Sequence, residues 1–480
     1  MTDIEQFIDS KVVVSSGSVV EYCVNTLRLT DTAARKRIER LPENIHKIKG
    51  ICRDHQSILH YENKWGKEEY FEALVNVLQD NARQHYLIIN ALKFNGGIML
   101  KEKLASFSAS PISNTKGHKS FESILADLKG LRIIEEIDAQ YQLCIYLERN
   151  GKRAKAINTV QTITISHFHE WARNIGLISY EAAKFNSAFS RYQFSMVAPS
   201  YVKSLVSKKG EKLIPAFVLA DILLNRNITE VDVEFFIKKL GNISMQNQSA
   251  KFIPFLIISS HSSEVYKALK SNGIIIGNID ELFGKKYSET IFGIINLLEN
   301  AGAILKTNPE QYLKLIDNIE KLAIGKTNNL KGDLFEMTVG LFHGQQCKSL
   351  DISKKILQDF KQIEIDVFAE YQDRVVFAEC KGYNHPIDDD YVQTWLSEKI
   401  PVVRKWTLDQ NFLKGKRIEF EIWCTGGFSE ESANILFTAK QNTKKYSIEY
   451  FDLEKMLKVA KKKNINHFEK IIKEYYIKEI

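Results

Sequence analysis

From Ile363 to Lys381 the chain reads Ile-Glu-Ile-Asp-Val-Phe-Ala-Glu-Tyr-Gln-Asp-Arg-Val-Val-Phe-Ala-Glu-Cys-Lys, two runs of β-branched and aromatic residues around Gln372-Asp373. Runs of this kind form strands, and the polar break between them makes an antiparallel hairpin. A short turn at Gln372-Asp373 sets Asp366 opposite Glu379 and Glu364 opposite Lys381. Side chains alternate along a strand. Asp366, Glu364, Glu379 and Lys381 then share one face, and Ile365, Val367, Val376, Ala378 and Cys380 the other. Facing carboxylates destabilise a sheet. A divalent cation bound by hard carboxylate oxygens is the usual compensation, and a nearby lysine on the same face can orient a metal-bound water or stabilise developing charge. On these residues alone, an exposed hairpin laced with charge pairs explains the pattern equally well.

The flanks add constraints. Upstream, Gly332-Asp333-Leu334-Phe335-Glu336-Met337-Thr338-Val339-Gly340-Leu341-Phe342 repeats Phe335, Val339 and Phe342 at helical spacing. Gly332, Glu336 and Gly340 fall on one stripe, which presents the acid without bulky neighbours. Downstream, Ile418 to Cys424 is a strand running into Thr425-Gly426-Gly427-Phe428, and Ser429 starts a helix through Ala433, Leu436 and Ala439. A strand from Tyr446 to Phe451 and a helix from Asp452 follow.

This succession resembles the PD-(D/E)xK nuclease superfamily, and within it the Mrr-like restriction endonuclease branch. The residues that carry the resemblance are Gly332, Phe335, Glu336, Asp366, Glu379, Lys381, Thr425, Gly427 and Phe428, in order, over roughly 325–460. Glu364-Ile365-Asp366 departs from the superfamily's Pro-Asp but keeps the Asp. The resemblance implies a restriction-endonuclease-like α/β core and Mg²⁺-dependent hydrolysis of phosphodiester bonds, with Mn²⁺ able to substitute. Asp366, Glu379 and the carbonyl of Cys380 would hold the metal, Glu336 would be an outer or second-metal ligand, and Lys381 would position or activate water. Gln393, in the helix that follows, is a candidate phosphate contact or an ordinary polar helix residue.

The 480 residues suffice for several cores, and 44% hydrophobic content is that of an ordinary globular chain. No apolar run reaches membrane-spanning length, and the N-terminus lacks a basic-then-apolar signal. A cytoplasmic protein is expected. The six cysteines lack Cys-x-x-Cys spacing, which argues for free thiols and against a zinc site or disulfide framework. Net charge is +7, with basic stretches at 28–67 and 440–478 and an acidic one at 364–398. That separation suits gripping a polyanion in one place and cutting it in another, although solvated helix faces also produce charge runs.

In residues 1–75, Val19 to Leu27 is an amphipathic helix, and Thr30 caps a second with Ala34, Ile38 and Leu41 inward. Arg35, Lys36, Arg37 and Arg40 lie on its outer face. Strands at 48–52 and 57–61 complete the sequence shape of a winged helix-turn-helix, whose basic helix would enter a DNA major groove. Residues 76–150 repeat the shape, with helices at 85–94, 99–107 and 121–128 and a hairpin of 131–137 and 140–147. There Glu122 and Asp127 suit packing against protein more than DNA.

Residues 151–300 form a middle α/β domain without a catalytic set. Ala216 to Leu223 can be laid over Arg374 to Lys381, with Asp221 at the Glu379 position and Leu223 in place of the lysine. The segment is either a degenerate nuclease-like copy or an α/β layer that shares the order of elements by chance. Residues 301–480 hold the nuclease domain, with 301–325 as its connector, in which Asn308-Pro309 opens a helix that closes at Gly325. The whole reads as a multidomain α+β and α/β protein. The functional expectation is an endonuclease acting on double-stranded DNA in restriction or antiviral defence, working as a homodimer if both strands are cut. The competing expectations are a winged-helix DNA-binding regulator with a retired nuclease fold, or a nuclease subunit activated by a partner such as an ATPase. No Walker A loop is present.

Overall fold

The computed structural model describes residues 2–113, 119–137, 140–144, 150–180, 182–209, 211–225, 227–246, 250–321 and 328–477. The chain divides into two compact units, Met1–Ser288 and Glu289–Ile480, each of mixed helix and sheet.

The first unit opens with helix Asp3–Lys11, strand Val13–Ser15, helices Ser16–Asn25 and Asp31–Glu39, and strands Ile45–Ile48 and Ile58–Tyr61. Thr30 caps the third helix by accepting from the Ala33 N–H at 3.3 Å, and Ala34 and Ile38 are its buried stripe. The strand expected at 48–52 ends earlier, at Ile48. Gly50, Asp54 and His55 take φ of 82°, 55° and 55°, a left-handed run that no strand accommodates. Val13–Ser15 pairs with Ile58–Tyr61 to give a three-stranded sheet.

The same order recurs in helix Arg83–Phe94, strand Ile98–Leu100, helices Lys101–Ser106 and Phe121–Gly130, and strands Ile134–Ile137 and Gln140–Leu143. Met99, expected in a helix, lies in the short strand, and residues 145–147 fall outside the described residues. Asp127 turns inward to hydrogen-bond His85 at 2.9 Å and Lys119 at 2.5 Å. Residues 4–61 keep a small core of their own around Ile8, Val19, Ile38 and Leu59, while a larger core runs across the positions 75 and 150 where boundaries were expected. One buried cluster takes in Val13, Leu74, Leu125, Tyr141, Phe236 and Leu269, and helix Glu68–Asn81 crosses the first boundary.

The rest of this unit includes helix Gly151–Asn174 (α1), a small hairpin of Ser207–Lys209 and Lys212–Ile214, and a five-stranded sheet. Its strands are Lys184–Phe189 (β1), Tyr192–Ser200 (β2), Ala216–Leu223 (β3), Phe252–Ile258 (β4) and Ile275–Asn278 (β5), side by side in chain order. β1, β2 and β3 are antiparallel to one another in turn, and β3, β4 and β5 run parallel. Parallel neighbours need crossovers. Helices Glu230–Ser244 (α2) and Ser263–Ser271 (α3) supply them.

The second unit begins at Glu289, within helix Lys285–Thr307, rather than at 301. Helix Pro309–Lys321 starts where Asn308-Pro309 predicts, and Gly325 lies outside the described residues. Helix Asn328–Gly344 (α4) precedes strands Ser349–Gln358 (β6), Lys361–Glu370 (β7), Arg374–Lys381 (β8), Arg417–Cys424 (β9) and Ser447–Phe451 (β10). They also lie side by side in chain order. β6, β7 and β8 form an antiparallel meander, and β8, β9 and β10 run parallel. The β8–β9 crossover, α5, joins Asp389–Thr394, a π-helical turn Trp395–Lys399, and Ile400–Asp409. Helix Glu430–Asn442 (α6) crosses from β9 to β10, and Leu453–Lys463 (α7) follows.

Both faces of this second sheet are covered, as the near-continuous apolar runs of its parallel strands require. Phe377 and Ile422 pack under Val392, Trp395, Ile400 and Val403 of α5. Trp423, pointing the other way, meets Phe342 of α4 at 5.1 Å and Phe451 at 3.9 Å between ring centres. The two five-stranded sheets thus share strand order, strand directions and the placement of crossover helices. All six cysteines are free thiols, and no helix among the described residues is long and apolar enough to cross a membrane.

Candidate active site

The β7–β8 hairpin has the register its sequence sets. Val367↔Ala378 through Glu370↔Val375 pair, and Tyr371 N–H closes the Gln372-Asp373 turn on Arg374 O at 2.8 Å. The next facing pair is Asp366 and Glu379, and there the ladder stops. Asp366 Oδ2 instead accepts from the Cys380 N–H at 2.7 Å. The other edge of β7 is interrupted at the same point. Ser353, the β6 residue in register with Asp366, has a φ of 52°, and regular pairing resumes at Lys354↔Ile365. Irregularities of this kind re-aim a side chain.

This distortion changes which face β7 presents. Ile365 and Phe368 both join the core beneath α5, though strict alternation would part them. The expected two-face split therefore holds along β8 and fails along β7. Glu364 pairs with Lys355 rather than facing Lys381. Lys381 lies in register with Cys424 of β9, and its Nζ sits 2.8 Å from Glu379 Oε1.

Asp366 and Glu379 are 8% and 4% exposed, so each must be neutral or compensated. They divide these outcomes. Burial and the neighbouring Glu379 charge push the Asp366 carboxyl up to about 6. Burial would raise Glu379 as well, but the ammonium groups of Lys399 and Lys381 outweigh it and hold Glu379 below the usual carboxylate range. Lys381 is disfavoured by burial, yet Glu379 and Asp366 keep it above the ordinary lysine value. Burial also raises the Cys380 thiol, reinforced by the charges of Asp366, Glu336 and Glu379. Four of the expected site residues, Glu336, Asp366, Glu379 and Lys381, therefore act on one point at the end of β8.

Glu336 reaches that neighbourhood from α4, where its Oε2 accepts from the Ser353 hydroxyl at 2.9 Å. The distorted β6 residue thus tethers one carboxylate while the break beside it frees another. Just beyond Lys381, a Cβ on Gly382 would come within 3.2 Å of the Lys331 carbonyl oxygen of α4. At the end of β9, a Cβ on Gly426 would lie 2.0 Å from the His385 carbonyl oxygen, so only glycine lets this turn meet the loop after β8. Thr425 Oγ1 donates to Tyr383 O at 2.7 Å where the two segments meet.

The helix after β8 contributes side chains that sequence reasoning missed. Gln393 is exposed, and the groups that α5 sends to Glu379 are the Tyr391 hydroxyl and the Lys399 ammonium. Eight residues apart, Tyr391 and Lys399 would stand roughly 80° out of phase on an ideal α-helix. The π-helical turn, closed by Ile400 N–H on Trp395 O, turns each residue through a smaller angle and brings them together. Pro401 lies at the start of the helical segment that follows this turn. In the N-terminal region Arg35, Lys36, Arg37 and Arg40 are all exposed on and just after helix Asp31–Glu39, with Arg35 also paired to Asp31 at 2.8 Å.

Among the described residues, no three His, Cys, Asp or Glu side chains converge as a ready-made metal site. The buried carboxylates of Asp366 and Glu379, together with the Cys380 carbonyl, would offer an all-oxygen set of the kind Mg²⁺ takes, since that ion commonly uses one or two carboxylates and fills its shell with water and substrate phosphate. Comparison with protein-family models, with curated proteins and with solved structures finds no match for the chain.

Proposed function

We propose that the second unit is a metal-dependent nuclease of the PD-(D/E)xK superfamily, on its Mrr-like branch, and that the protein is an endonuclease acting on DNA in restriction or antiviral defence. The observation that carries this reading is the meeting of Asp366 and Glu379 where the hairpin ladder breaks, with Lys381 on Glu379. A buried carboxyl raised to about 6 beside a second carboxylate, at the end of a strand, is the kind of perturbation that functional sites concentrate. The order of elements supports the same reading: Glu336 on a helix, Asp366 and Glu379-Cys380-Lys381 on adjoining strands, a crossover helix, and a strand ending at Thr425-Gly426-Gly427.

In this reading Asp366, Glu379 and the Cys380 carbonyl hold a divalent cation that supplies Lewis-acid polarisation of the phosphate. Lys381 orients the attacking water and stabilises charge on the phosphoryl oxygens. Glu336, tethered by Ser353, orders the outer shell. The helix carrying Arg35, Lys36, Arg37 and Arg40 contacts phosphates of the duplex within a winged-helix module, which raises affinity without setting sequence preference. The test is incubation of closed-circular plasmid with Mg²⁺ or Mn²⁺. Wild type opens or linearises the circle, and Asp366→Ala leaves it closed. Equal conversion by both proteins rejects the assignment.

A further inference from the structure

The two five-stranded sheets can be aligned residue by residue through their ladders rather than through sequence similarity. In the first unit, pairing of β3 with β2 runs from Ala216↔Ser200 to Ala220↔Met196 and stops, so the next facing pair is Asp221 and Ser195. In the second unit, β8 and β7 stop at Ala378↔Val367, and the next pair is Glu379 and Asp366. Ser195 thus stands where the site has Asp366, Asp221 where it has Glu379, and Leu223 where it has Lys381.

The helix lysine matches too. Lys239, the tenth residue of α2, pairs with Asp221, and Lys399, the eleventh of α5, pairs with Glu379. The one-residue difference coincides with the π-helical turn that α5 contains and α2 does not, because such a turn accommodates an extra residue. Two sheets of one chain therefore place a crossover-helix ammonium on a carboxylate two residues before the end of the central strand.

The first-unit sheet shows what such an ammonium does where Ser195 and Leu223 stand in place of the other site groups. Lys239 is fully buried, donates to Ser106 O at 2.8 Å and Gln193 O at 2.7 Å besides Asp221, and lies 4.0 Å from the Phe194 ring centre. Asp221 Oδ1 is filled by the Ser195 N–H and hydroxyl at 2.7 and 2.8 Å. There the ammonium is the direct partner of the carboxylate.

We infer that Lys399 is a positioning residue that occupies the Glu379 carboxylate in competition with the divalent cation, keeping the site latched until metal displaces it. This rests on the nuclease reading of the second unit. Lys399 is suited to leaving where Lys239 is not, since its side chain is 25% exposed against 0%. It has a second anion to move to, because an entering phosphodiester accepts a charge-assisted hydrogen bond from an ammonium.

The test is Mn²⁺ titration of the full chain without DNA, for wild type, Lys399→Gln, Lys399→Arg, Asp366→Ala and the Asp366→Ala/Lys399→Gln pair, with thermal melts to establish that each variant is folded. The latch predicts that Lys399→Gln binds Mn²⁺ at least about 10-fold more tightly than wild type. Lys399→Arg, which keeps the cation, stays near wild type, and both Asp366→Ala proteins lose the ion. Equal affinity of wild type and Lys399→Gln, with loss in Asp366→Ala, overturns the latch and leaves the metal site standing. Absence of any Asp366-dependent Mn²⁺ binding overturns the nuclease reading and the latch with it.

Discussion

Replacing Asp366 by Asn should stabilise the metal-free protein. The folded structure lifts this carboxyl from 3.8 to about 6, through burial first and the Glu379 charge second. At 1.36 kcal/mol per pH unit, holding it ionised near neutrality costs about 3 kcal/mol. The sign follows from proton linkage. A carboxyl whose folded value is raised binds more protons folded than unfolded between about pH 4 and 6. Its penalty is therefore absent below that window, grows through it, and is complete above it. Asparagine keeps an oxygen that can accept the Cys380 N–H but carries no charge, so the variant should gain about 2–3 kcal/mol at pH 7.5. In a unit of this size that is roughly 4–12 °C in melting temperature. Calorimetry in EDTA at pH 4, 5, 6 and 7.5 would show a gain that shrinks toward zero at the acid end, and added Mn²⁺ would narrow the gap by stabilising wild type alone. A variant that melts at or below wild type at pH 7.5 refutes the claim that the pair is electrostatically strained.

Other perturbations follow from the same geometry. Lys239→Met leaves Asp221 buried without its cation and should destabilise the first unit by about 3–5 kcal/mol in urea unfolding, with much of the loss recovered in Asp221→Leu/Lys239→Met. Gly426→Ala forces a methyl group against the His385 carbonyl, an overpacking cost of about 1–3 kcal/mol; hydrogen exchange should accelerate in peptides spanning 382–388, and an unchanged exchange pattern would show this close approach to be dispensable. Alanine at Arg35, Lys36, Arg37 and Arg40 should flatten the salt dependence of duplex DNA binding, by roughly one unit of log–log slope for each phosphate the helix ceases to neutralise. Fluorescence anisotropy over a salt series measures it, and an unaltered slope removes that helix from the interface.

Much of the second unit was legible because its strongest local signals agree. Gln372-Asp373 between two β-branched runs sets the hairpin register, and that register alone puts Asp366 opposite Glu379. Thr30, Pro309 and the glycines after Thr425 mark their helix starts and turn by conformational preferences that tertiary packing leaves intact. What escaped depends on relations between segments. The left-handed Ser353 that breaks β6 beside Asp366 carries no glycine signature. Lys399 sits out of phase with Tyr391 until the π-helical turn corrects it, and Pro401 was the sole nearby hint. The overlay of Ala216–Leu223 on Arg374–Lys381 was open to the sequence, but Ser195 opposite Asp221 and Lys239 in the place of Lys399 emerge only from where the ladders stop and how the crossover helices lie. That one buried core runs across positions 75 and 150 also escaped, because a succession of helices and wing strands does not report which of them pack together.

The central claim is that Asp366 and Glu379 form a metal site served by Lys381. Electron paramagnetic resonance of Mn²⁺ bound to the full chain tests it most directly, by counting ions and comparing wild type with Asp366→Ala and Lys381→Ala. The account predicts Mn²⁺ bound to wild type and to Lys381→Ala, with that binding lost in Asp366→Ala. Undiminished binding in Asp366→Ala would contradict it.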